Sequence, residues 1–116
     1  MTTRRKNSKF KLIRIAAFDA RKGYKRCSIS EVCVKEYVDP SFTWLRPVMI
    51  KAHFWRSKAG KLVVRFFSYY QYNYHYEVTL ANGKVVPEKD INELAEYITD
   101  ILSKWRGSDD SPEEFI

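Results

Sequence analysis

Two apolar runs, Pro47 to Trp55 and Leu62 to Tyr70, flank the polar, glycine-containing segment Ser57–Lys61, and this arrangement predicts a β-hairpin. A further strand from about Tyr74 to Leu80 is expected to meet Lys84–Val86 across Asn82-Gly83. That dipeptide is the strongest short hairpin signal, because both central residues of a type I′ turn need positive φ. The stretch 62–80 is too long for one typical strand, so a turn or bulge is expected near Gln71–Asn73.

Towards the end of the chain the apolar spacing becomes helical. Ile91, Leu94, Ala95, Ile98, Leu102 and Trp105 fall on one face of a helix predicted from about Glu88 to Arg106, with Glu93, Glu96 and Asp100 on the other. Pro87 suits its first position, Glu88 and Asp90 favour the positive end of its dipole, and Gly107 can stop it. Earlier in the chain, Phe10 to Phe18 fits a strand or a short helix, and its periodicity does not separate the two. Asp19–Gly23 reads as a turn, Tyr24–Val38 contains a strand, and Asp39-Pro40-Ser41 breaks the chain again. The fold class that follows is α+β: an antiparallel sheet of hairpins with a C-terminal helix packed on one face. A basic arm (residues 1–9), one domain (10–106) and an acidic tail (107–116) complete the organisation, and no internal repeat occurs.

Composition allows a real core, with 45% hydrophobic residues, and the 16% aromatic share is clustered. Charge changes the picture more. Residues 1–86 carry 18 Lys+Arg against 5 Asp+Glu, whereas residues 87–116 carry 3 against 9. Such a concentration of positive charge repels itself unless a polyanion or the acidic end offsets it. No apolar run is long enough for a membrane-spanning helix, and no export signal is visible, so no membrane is expected as a partner. The expected compartment is the cytoplasm, that of a host cell for a viral or phage protein. Cys27 and Cys33 are six residues apart, roughly 20 Å along a strand, and read as small buried hydrophobes rather than as a disulfide or a metal pair.

Chemistry is concentrated in the middle of the chain. On an unbroken strand Phe66, Tyr70, Tyr72, Tyr74 and Tyr76 share one face, and aromatic faces stack bases with little regard to sequence. Lys51, Arg56, Lys58, Lys61 and Arg65 lie beside them, and Arg4, Arg5, Lys6 and Lys9 of the arm could track a phosphate backbone. The same tyrosines would also serve as core beneath the helix, or as a dimer interface. His75 has the opposite parity and is expected to be exposed or at a sheet edge. Enzyme chemistry has no support: there is no Gly-rich phosphate loop, no GxSxG, no HExxH and no Cys/His cluster, and residues 40–76 contain no carboxylate. No cofactor, no metal and no catalytic residue is therefore expected.

The tail Gly107–Ile116 is acidic, contains proline and ends in Phe115-Ile116. In this it resembles the acidic tip of bacterial and phage single-stranded DNA-binding proteins. The resemblance implies a solvated, extended tip that occludes the DNA surface and docks protein partners, with Asp109, Asp110, Glu113 and Glu114 supplying charge and Phe115 the anchor. Ile116, not the phenylalanine, is last, which departs from that family. A sheet capped by a C-terminal helix is also the layout of Whirly and purine-rich-element-binding proteins, which bind single strands. The expectation is a sequence-tolerant nucleic-acid-binding protein that prefers single strands and forms a homodimer through sheet edges. The alternative is a small regulator or inhibitor, of the kind found in phages and plasmids, that binds a protein through the aromatic sheet.

Overall fold

Strand-forming residues and tight glycine turns build a five-stranded antiparallel sheet in the computed structural model, which describes residues 9–16, 22–35, 49–68, 72–105, 107 and 110–116. The strands are β1 (Phe10–Ile15), β2 (Tyr24–Lys35), β3 (Met49–Ser57), β4 (Leu62–Ser68) and β5 (Asn73–Leu80). Their order is β1-β5-β4-β3-β2, a meander from β2 to β5 with β1 returning to the outer side of β5. The segment from Phe10, open between strand and helix in the sequence, is a strand whose Phe10 faces Leu80. A helix α1 (Ile91–Trp105) lies across one face, so the α+β architecture is as expected.

The β3–β4 and Asn82-Gly83 turns share one design. Gly60 N donates to Ser57 O and Ser57 N to Lys61 O; Gly83 N donates to Leu80 O and Leu80 N to Lys84 O. Each is a three-residue loop whose third residue is a glycine in the left-handed region, Gly60 at φ +90° and Gly83 at +84°. Ala81 and Asn82, rather than Asn82 and Gly83, are thus the central pair, and only Thr79 bridges to Val85 beyond the turn. The long apolar stretch does reverse, since β4 ends at Ser68 and β5 starts at Asn73. Glu88–Asp90 form a separate 3-10 turn before α1, with Pro87 as its N-cap.

Strand parity decides which residues α1 covers. Ile50, Ala52 and Phe54 of β3, Leu62, Val64 and Phe66 of β4, and Tyr76 and Val78 of β5 are all buried on the helix side. Against them α1 places Ile91, Leu94, Ile98, Leu102 and Trp105, together with Tyr97 and Ile101, so its apolar stripe is wider than the sequence reading assigned. The ring of Phe66 stands edge-on to both Tyr76 (5.6 Å) and Trp105 (6.0 Å), and Tyr74 is edge-on to Trp105 (5.7 Å). The register of β2 shifts between Arg26 and Glu31, so that Cys27 and Ile29 and, after the shift, Val32 and Val34 all pack against this core. Cys27 and Cys33 are both half-buried free thiols rather than fully buried ones, and burial pushes both up in pKa. Among the described residues no helix is long and apolar enough to cross a membrane.

Candidate nucleic-acid interface

Antiparallel pairing lines up, on the sheet face turned away from α1, the residues of opposite parity to the core. Lys51, His53 and Trp55 of β3 stand against Phe67, Arg65 and Val63 of β4, and these against Asn73, His75 and Glu77 of β5. Arg26, Glu31 and Cys33 of β2 border one side, and Ile15, Ile13 and Lys11 of β1 the other. The face is cationic and partly aromatic, but not with the residues the sequence reading chose.

At its centre Arg65 Nη2 donates to His53 Nδ1 at 3.3 Å. A guanidinium has only donors, so Nδ1 must be the lone-pair nitrogen and the proton sits on Nε2, which then donates to Glu31 Oε1 at 3.0 Å. Burial and the adjacent Arg65 hold His53 below the ordinary histidine range, and burial followed by Arg65 and Arg14 does the same to His75. The Arg65 guanidinium lies 5.0 Å from the centre of the Trp55 ring and 5.8 Å from that of Phe67, and Arg26 approaches Trp55 at 6.0 Å. Trp55 and Val63 are buried on this face; Arg26 and Lys11 are exposed, and Lys51, Arg65, Phe67 and His75 lie between.

Cations of the two sides have different partners. Those at the rim of the helix side are tied to the acidic layer: Lys9 to Asp90 (3.3 Å) and Glu93 (2.8 Å), Arg56 to Glu88 (3.2 Å), and Arg14 to Glu113 (3.0 Å). Arg56 also donates to the carbonyls of Gly60 (3.0 Å) and Val86 (2.8 Å), and Glu88 accepts from the backbone N and hydroxyl of Ser28. These contacts fasten helix to sheet. On the far face Lys61 reaches Glu77 at 3.8 Å and Lys51 reaches Glu31 at 4.0 Å. Arg26 and Arg65, both against Trp55, have no carboxylate partner among the described residues.

Several expected site residues therefore change role. Tyr76 is fully buried, its hydroxyl donates to Glu113 Oε1 at 3.3 Å, and burial raises its pKa well above the ordinary range. Tyr74 shares that face, against Trp105 and under Arg14, which sits 4.8 Å from its ring centre. The parity was right, but the face is the covered one, because β5 alternates Tyr74, Tyr76, Val78 and Leu80 against His75, Glu77 and Thr79. Tyr76 is interior and Tyr74 is partly buried against the core on the helix side, so neither ring lies on the far face; Tyr72, at 39% exposure, is the most exposed tyrosine of the stripe among the described residues. Lys9 and Arg56 are engaged by the acidic layer on the helix side and do not lie on the far face. Lys58 is exposed on the β3–β4 turn. Arg4, Arg5, Lys6, Tyr70 and Asp109 lie outside the described residues.

The acidic tail is not extended over its described part. Asp110–Ile116 folds back beside α1, with a 3-10 turn at Pro112–Phe115. The Trp105 indole N–H donates to the Asp110 carbonyl at 2.5 Å, Pro112 is buried, and Phe115 and Ile116 pack on the core. Glu113 meets Arg14 on the helix side, so this segment does not lie on the face centred on Arg65. Asp110 and Glu114 remain exposed.

Sequence reasoning missed Arg26, His53, Trp55, Phe67 and His75 as neighbours of Arg65. The signal was the second parity of each strand: the residues left over once the uniformly apolar set is assigned to the core. Comparison with protein-family models, with curated proteins and with solved structures finds no match to this chain, so this face must be interpreted from its own chemistry.

Proposed function

We propose that the chain binds single-stranded nucleic acid, with little sequence preference, through the sheet face opposite α1. The observation that carries this reading is the unequal fate of the cations. Arginines on the helix side are neutralised by the acidic layer, while Arg26 and Arg65 on the far face meet rings and a histidine but, among the described residues, no carboxylate. Phosphates would be held by Lys11, Arg26, Lys51 and Arg65, and the half-buried Phe67 ring offers a stacking surface. The acidic α1, with Glu93, Glu96 and Asp100 outward, is unsuited to a DNA groove, which favours an open single strand over duplex. The exposed Asp110 and Glu114 would remain free to meet a basic protein partner, for which Phe115 would first have to leave the core.

Fluorescence titration with poly(dT) across a salt series tests the reading. With about four phosphates contacted, the log–log salt slope for a single strand should lie near about −2.8. A flat slope, or no binding at low salt, removes nucleic acid as the ligand and leaves the regulator that docks a protein.

A further inference from the structure

We propose that Arg65 is a discrete receptor for one phosphate group, supplied by the backbone of a bound nucleic acid. The proposal rests on the reading just given and narrows it to a single point on the sheet. Its starting observation is an orphaned donor: Arg65 Nε is buried and has no hydrogen-bond partner. Buried charged donors are almost always satisfied, so this guanidinium in the middle strand is short of acceptors, and because Nε itself presents almost no surface an incoming acceptor meets the Nη end of the group. The second observation is that, among the described residues, the guanidinium has one protein partner, His53 on Nη2, and that Nη1 is not among the buried unpartnered atoms.

Local charge selects the occupant. Arg65 is pushed down in pKa by burial and by Arg26, so the site already holds more positive charge than it neutralises. Of the two acids on this face among the described residues, Glu31 is engaged by His53 and Lys51, and Glu77 by Lys61. A water on the outer Nη groups would leave that charge uncompensated. A phosphate oxygen pair accepts from a guanidinium fork and supplies the missing negative charge together. The positioning is in place beforehand: His53 fixes the guanidinium from one edge, and the Trp55 and Phe67 rings, 5.0 and 5.8 Å away, limit its swing. Arg26, two strands away at roughly 10 Å, is placed for a neighbouring phosphate of the same chain.

The experiment follows the Arg65 Nε–H resonance in ¹H–¹⁵N spectra of the whole protein while inorganic phosphate, thymidine 5′-monophosphate, oligo(dT) and, as a control, thymidine are added. The expected result is a shift with oligo(dT) and with the monophosphate and none with thymidine. Arg65→Gln should weaken oligo(dT) binding by about tenfold or more and flatten the salt slope by about 0.7, whereas Lys58→Gln at the exposed turn should stay within about twofold. Arg65→Lys, which keeps the charge and loses the fork, should fall between, and it serves if the glutamine variant fails to fold. An unmoved Nε–H while oligo(dT) still binds would overturn the receptor and leave the wider reading standing. A shift with inorganic phosphate but no binding of oligo(dT) would overturn the nucleic-acid source. No response to any probe overturns both.

Discussion

Replacing Gly107 with alanine tests how tightly the end of α1 is held against the sheet. Gly107 follows the helix with φ +70°, in the left-handed region that an L side chain enters at a cost of about 1–2 kcal/mol. A Cβ there would stand 2.7 Å from Ser68 Cβ and 3.4 Å from the Ile50 side chain. Ser68 is fully buried in β4, so the clash is with a wall rather than with the far end of a flexible chain. Relieving it by overpacking costs about a further 1–3 kcal/mol, for a total of about 2–5 kcal/mol. Gly83→Ala is the control, because its φ of +84° carries the same backbone strain with nothing within 4 Å of the added carbon. Urea denaturation should place the Gly107 variant below the Gly83 variant by about 1–3 kcal/mol, with an unchanged slope. Equal losses in the two, within about 0.5 kcal/mol, would refute the close approach and show that the helix end can lift from β4.

Tyr76→Ala should destabilise the fold by about 3–5 kcal/mol, whereas Tyr72→Leu should cost less than about 1 kcal/mol, as separate urea melts would show. His53 and His75 both have folded pKa values below the unfolded value of about 6.5, so the unfolded chain takes up more protons as pH falls. Their contribution is complete above about pH 6.5 and lost as pH drops towards the folded values; urea midpoints at pH 7.5 and 5.5 should differ accordingly, and the His53→Gln, His75→Gln double variant should narrow the gap. Deleting residues 110–116 removes the acceptor of the Trp105 indole and the cover of Phe115 and Ile116, and thermal melts should show a loss of about 1–3 kcal/mol. The same deletion should change poly(dT) affinity by no more than about twofold, because the tail lies across the sheet from Arg65 and its charge is screened over about 10 Å; several-fold tighter binding would restore the competing tail.

The elements were largely legible because they are written in local code. Helical spacing from Ile91 to Trp105, the glycine turns at residues 60 and 83, and the over-long stretch 62–80 each announce an element or its end. The error in the site was one of faces, not of elements. A strand places alternate residues on opposite sides, and the tyrosines of β5 were correctly grouped, but nothing in a tyrosine says whether its face is wet. That answer came from partners far along the chain: Phe66 opposite Tyr74, and Trp105 against both.

The expected extension of the tail gave way over Asp110–Ile116 for a related reason. Its acids and proline favour a solvated segment, yet one buried indole needing an acceptor and two terminal hydrophobes finding an apolar corner drew it back. The primary structure thus specified strands, turns, helix and the separation of charge between the two parts of the chain, all of which depend on residues near one another. Folding selected the covered face, paired the rim cations with the acidic layer and left Arg26 and Arg65 without carboxylates among the described residues, since register and packing join residues dozens of positions apart.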